Sequence, residues 1–125
     1  MEQMTVTAAQ MKALERAADE AGLTYRQMME NAGCRAFESI CRRCPGARTA
    51  VVFAGKGNNG GDGFVVARLL AAARVRVRVI LCEGAPVTDD AIANFSCLAD
   101  VEIWPLDEVS VMQEGELLSC DVVIG

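Results

Sequence analysis

The sequence predicts an α/β protein, a three-layer doubly wound parallel sheet preceded by two N-terminal helices. Three observations carry this. Near Arg48 the apolar pattern changes from a helical to a strand period. Beyond it, four short apolar runs alternate with helical stretches, which is how a parallel sheet with crossover helices reads. A glycine-rich turn joins the first of those runs to the helix that follows it.

The helices come first. Thr7-Ala8-Ala9-Gln10 reads as a capping box, in which a side-chain oxygen and a carboxamide satisfy each other's backbone amides. Met11, Leu14, Ala18 and Ala21 then fall on one stripe, and Gly22 stops the helix. Thr24-Tyr25-Arg26-Gln27 repeats the cap. Met28, Met29, Ala32, Ala36, Phe37 and Ile40 give the second helix a wide apolar face, which ends at Pro45-Gly46 and predicts packing against the domain core. The methionines sit where helix packing already calls for apolar bulk, so they read as core filling.

Thr49 to Ala54 is a short run apolar on both faces, as expected of a strand inside a parallel sheet. A helix from about Asp62 to Ala73 and a strand from about Val75 to Cys82 complete a βαβ unit. In that strand Arg74, Arg76 and Arg78 alternate with Val75, Val77 and Val79, the pattern of one solvated face. Thr88-Asp89-Asp90 opens a helix through Ile92, Phe95 and Leu98. Val101 to Trp104 makes a strand, Glu108 to Leu118 a helix, and Val122 to Ile124 the fourth strand.

Right-handed crossovers arrange such strands in the order 3-2-1-4. Strands 1 and 4 then diverge at their carboxyl ends, and a ligand crevice is expected there, between the turn after Ala54 and the turn after Ile124. The second of those walls is expected to begin where the sequence ends, at Gly125. The chain therefore reads as one domain over 1–125: helices in 1–46, and in 47–125 a βαβ core whose C-terminal part is missing.

Composition removes several functions. The net charge is −5, and Lys12 and Lys56 are the only lysines, so there is no broad basic face for a nucleic acid. No basic-then-apolar leader opens the chain, and no apolar run approaches the roughly 20 residues of a membrane span, which points to a cytoplasmic protein. Six cysteines without a secretory signal fit reduced thiols. Cys41-Arg42-Arg43-Cys44 has redox-motif spacing, but it falls at a helix C-terminus, where the dipole disfavours a thiolate, and reads as structural. With no histidine there is no Ser-His-Asp triad and no imidazole base.

The turn Gly55-Lys56-Gly57-Asn58-Asn59-Gly60-Gly61-Asp62-Gly63 contains a G-x-G-x-x-G match between strand and helix, a Rossmann-like setting. Its glycines let the backbone approach a ligand closely, and the helix amides offer a place for a dinucleotide pyrophosphate. Lys56 precedes Gly57 rather than Ser or Thr, so this is no triphosphate-binding loop. Asn58 and Asn59 supply donors and acceptors suited to ribose, an amide or a monovalent cation. Asp62 either caps the helix or meets sugar hydroxyls or a cation. Glu83, roughly 20 residues past the turn, is placed to bind a ribose diol in an ordinary NAD-dependent oxidoreductase, the first rival reading. A non-catalytic dimerisation or ligand-binding module is the second.

Gly57 to Gly63, followed by Phe64-Val65-Val66-Ala67-Arg68, resembles the signature of the YjeF N-terminal family of NAD(P)HX epimerases. Met28-Met29-Glu30-Asn31-Ala32-Gly33 and Gln10-Met11-Lys12-Ala13-Leu14-Glu15 extend the resemblance over Thr7 to Ile124. It implies an isomerase that interconverts the R and S forms of hydrated NADH and NADPH (NADHX and NADPHX) in nicotinamide nucleotide repair. It also implies a potassium ion and a homodimer. Carried over by position, Asn58, Asn59, Gly60, Gly61 and Asp62 would contact the nucleotide, Asn59 would hold potassium, and Glu30 and Asn31 would be architectural. Asp62 is the candidate proton carrier. The family's aspartate after the fourth strand would fall on Gly125, so that acid is replaced or missing here.

Overall fold

The computed structural model describes residues 7–20, 24–109 and 121–125. Two helices, α1 (Ala8–Glu20) and α2 (Tyr25–Arg43), precede β1 (Thr49–Ala54), α3 (Asn58–Ala72), β2 (Arg76–Leu81), α4 (Asp89–Ser96), β3 (Val101–Pro105), α5 (Leu106–Val109) and β4 (Val122–Ile124). All strand pairs are parallel, in the order β3-β2-β1-β4. This is the predicted opening order of a doubly wound sheet. No described helix is long and apolar enough to cross a membrane.

The caps form largely as the sequence requires. At α1, Gln10 N donates to Thr7 Oγ1 (3.1 Å) while Thr7 N donates to Gln10 Oε1 (2.9 Å), a complete reciprocal box. At α2 only half is made: Gln27 N donates to Thr24 Oγ1, whereas the Gln27 carboxamide turns along the helix to donate to Asn31 Oδ1 (2.9 Å). Thr88 caps α4 by accepting from Ala91 N (3.2 Å).

The core lies between the sheet and the helices on one of its faces. Ala50, Val52 and Ala54 of β1, Val77 and Val79 of β2 and Val122 of β4 meet Phe64, Ala67 and Leu70 of α3 and Ala91 of α4. Phe64 packs edge-on to Phe95 with ring centroids 5.3 Å apart. Burying a side chain of that size stabilises the fold by roughly 2–3 kcal/mol. Val51 and Ile80, of the opposite parity, are equally closed to solvent, so β1 is buried on both faces at its centre as its apolar run predicts, whereas Arg76 and Val123 on that second face stay exposed. Helix α2 joins this core through Phe37 and Ile40 and crosses α3 at Gly33, where an added Cβ would come within 2.3 Å of Val65 Cγ1.

Two boundaries differ from the sequence reading. Helix α3 begins at Asn58, one turn before the predicted Asp62, with Gly57 as its N-cap and no side-chain cap bond. Asp62 is therefore inside the helix and does not cap it. Arg74 is not a strand residue: it sits at φ 68°, the left-handed turn that reverses the chain after α3. In the strand itself Arg76 is exposed, and Arg78 pairs with Glu102 (2.8 Å) and lies over the Trp104 ring. Most of the expected 108–118 helix, and the expected stop at Gly22, lie outside the described residues.

Candidate nucleotide crevice

At the carboxyl ends of β1 and β4 there is a crevice of about 410 Å³. It is walled by Gly55 and Asn59 of the glycine turn, Asp62, Gly63 and Val66 of α3, Ile124 at the end of β4 and Gly125 after it. These are the walls that the strand order calls for. A further wall, Ala32, Gly33 and Ala36 of α2, was not foreseen. The signal for it was present: Gly33 and Ala32 lie three and four residues before Ala36, so three small residues share one side of a helix, and that side cannot fill a neighbouring cleft.

Asp62 is half-buried here, and no hydrogen bond to its carboxylate exists among the described residues. Burial pushes its pKa above the ordinary carboxylate range, because the anion loses hydration. Asn59 lies three residues earlier on α3, on the same side of the helix, and so reaches the same crevice.

The glycines of the motif answer to geometry. A Cβ on Gly60 would stand 1.9 Å from the Gly55 carbonyl oxygen, so the turn closes only with glycine there. A Cβ on Gly61 would meet the Met29 thioether at 2.5 Å. Both residues are buried, and any contact that they make to a ligand is through backbone. The amides of Asn58, Asn59 and Gly60 precede the first helical acceptance at Gly61 N→Gly57 O (3.2 Å), and belong to the helix end that attracts anions.

Asn58 does not line the crevice. Its Oδ1 accepts from the Thr88 hydroxyl (2.7 Å), which ties the turn to the start of α4. Glu83 follows β2 as expected, and its Oε1 accepts from the Lys56 amide (3.3 Å) against Gly55. Glu30 forms an ion pair with Arg68, with Arg68 Nη2 donating to both carboxylate oxygens, and this joins α2 to α3. Asn31 is exposed on α2. Cys41 is exposed and Cys44 caps the end of α2, both as free thiols.

Comparison with known proteins follows the same lines. The model of the family described as YjeF-related protein N-terminus matches residues 25–124. An NAD(P)H-hydrate epimerase of Roseobacter litoralis is 42% identical over 77% of this chain and 45% of its own length. A bifunctional NAD(P)H-hydrate repair enzyme Nnr of Coxiella burnetii is 44% identical over 93% of this chain and 24% of its own. The crystal structure of the yeast protein ynu0 superposes with a TM-score of 0.67 at 27% identity, over 84% of this chain and 49% of that one. The chain thus spans half or less of each of these proteins.

Proposed function

Since the chain belongs to the YjeF-related N-terminal family, we propose that it forms the nucleotide-binding part of an NAD(P)HX epimerase, an isomerase acting on the hydrates of NADH and NADPH. The observation that carries this reading is Asp62: a half-buried carboxyl of raised pKa, in a crevice beside the free amides of a helix end. The amides of Asn58, Asn59 and Gly60 would take the pyrophosphate and direct the hydrated ring toward Asp62.

The reaction needs few groups. In the hydrate the ring nitrogen carries a lone pair next to the carbon that bears the hydroxyl. Protonated Asp62 donates its proton to that hydroxyl, water departs, and the nitrogen lone pair forms a planar iminium. Water then adds to either face of the iminium carbon, and the Asp62 carboxylate takes up the released proton. The group ends as it began, and the epimers have exchanged. A carboxyl whose pKa burial raises gives up and takes back a proton more evenly than an ordinary aspartate does.

Asn59 offers a carboxamide oxygen to the same crevice, a hard donor that suits potassium. Asn59 would hold the ion, which would supply positive charge near the phosphates. The same reading sets the protein in the cytoplasm, where Cys34, Cys41, Cys44, Cys82 and Cys97 stay reduced, and makes it a homodimer.

The test uses the full-length protein. Pure R hydrate of NADH or NADPH is supplied, and formation of the S form is followed chromatographically with and without potassium. Acceleration over the spontaneous rate is expected. Equal rates with and without protein would end the proposal.

A further inference from the structure

The two neighbouring asparagines of the motif do different work. Successive helical residues are turned by about 100° about the axis, so Asn59 faces the crevice while Asn58 faces the loop between β2 and α4. There the Thr88 hydroxyl is used twice. Its oxygen accepts from Ala91 N at the start of α4, and its proton goes to Asn58 Oδ1. Beside this bond, Lys56 is held at both of its backbone polar groups: its amide donates to Glu83 Oε1, and its carbonyl accepts from Val87 N (2.9 Å). The bonds at Lys56 grip the turn before α3, and the Thr88–Asn58 bond grips the first residue of α3 itself.

We infer that Asn58 and Thr88 form a latch between the ends of α3 and α4 that sets the first turn of α3, and so aims Asn59 and Asp62 into the crevice. Asn58 is then a positioning residue whose side chain needs only to accept a hydrogen bond, and Thr88 one that needs only a hydroxyl. This follows from what each atom does. Oδ1 has a donor at 2.7 Å, and the crevice lies on another side of the helix. The inference deepens the epimerase reading and rests on it only for its kinetic half.

The chemistry separates a latch from a direct ligand contact. A side chain that touched the pyrophosphate would make Asn58→Ala raise KM while Thr88→Val, away from the crevice, stayed silent. Asn58→Asp keeps an acceptor for Thr88 but sets a negative charge at the helix tip, so it is read by exchange and not by KM. Asn58→Ala and Thr88→Val lose the bond, whereas Thr88→Ser keeps it. Misaiming the first turn is expected to lower kcat about tenfold in the first two variants. Their double variant is expected to be no worse than either alone, because both remove one interaction.

A readout independent of activity is amide hydrogen exchange at Gly61, whose N–H closes the first turn of α3 on Gly57. Protection there is expected to fall roughly tenfold in Asn58→Ala and Thr88→Val, and to be retained in Asn58→Asp and Thr88→Ser. Exchange at Gly61 unchanged in Asn58→Ala, or a kinetic loss in Asn58→Ala that Thr88→Val does not share, would overturn the latch. If the wild-type protein does not interconvert the hydrates, the epimerase reading fails, and the exchange series still decides the latch.

Discussion

Two aspartates at opposite ends of the sheet show how differently one side chain can be used. Asp121, at the amino end of β4, is exposed, yet its Oδ2 accepts from Arg48 N (2.7 Å), Thr49 N (3.2 Å) and the Thr49 hydroxyl (3.4 Å). Asp121 N returns a bond to Thr49 Oγ1 (3.1 Å). The backbone bonds from Arg48 and Thr49 hold its carboxyl below the ordinary range. Asp62, at the carboxyl end, is half-buried without such partners, and its pKa rises. Hydrogen bonds favour the anion more than exposure does, and burial without them disfavours it. The first carboxylate is committed to joining two strands; the second is left available to exchange a proton.

The largest effect that would break this contrast is catalytic. If the proposed function holds, Asp62→Asn in the full-length protein is expected to lower epimerisation by about 10²- to 10⁴-fold, read as kcat in the epimer interconversion assay. An unchanged rate would remove Asp62 from proton transfer. The next effect is structural and tests the crevice end as a whole. Gly60→Ala must displace the Gly55 carbonyl, and is expected to cost about 3 kcal/mol by urea unfolding. Stability within a few tenths of wild type would show that the turn relaxes where the fold says that it does not.

A smaller effect sharpens the comparison by its sign. Because the folded pKa of Asp62 is raised, its ionisation penalises the folded state as pH rises from the unfolded value, about 3.9, through the folded one. Below that window the penalty is absent, and above it complete. The Tm of Asp62→Asn should therefore exceed that of wild type near neutral pH, and equal it below about pH 3. Asp121 has the opposite linkage. Its folded pKa is lowered, so its contribution is complete above the unfolded value and lost as pH falls through the folded one. Asp121→Asn is expected to give the smallest change, a slightly lower Tm near neutral pH that converges on wild type in acid. A parallel response of the two variants would mean that the two carboxylates are not distinguished in the way described.

Much of this was legible beforehand, for physical reasons that can be named. The caps at Thr7, Thr24 and Thr88 are local, and β1 declares itself by being apolar on both faces. Strand order follows from handedness, so the crevice between Gly55 and Gly125 could be placed from topology. What could not be read depends on contacts remote in sequence or on weak local preference. Two carboxamides and two glycines are poor helix formers, so the first turn of α3 looked like loop. It is helical because Gly60 and Gly61 pack where no side chain fits, against Gly55, Met29 and Ala91. The hydroxyl of Thr88 that claims Asn58 is likewise invisible to periodicity. Arg74 continued an alternation by coincidence, since a turn residue and a strand residue can share a parity.

The early start of α3 has a consequence for how charge is distributed over a bound nucleotide. A carboxylate at the very tip of a helix would repel the phosphate that the tip attracts. Asp62, four residues beyond Asn58, stands about 6 Å further along the axis. In the proposed function, the amides that would take the phosphate and the acid that would handle the proton are thereby set apart on one rigid rod, at a spacing fixed by helical pitch and indifferent to loop motion.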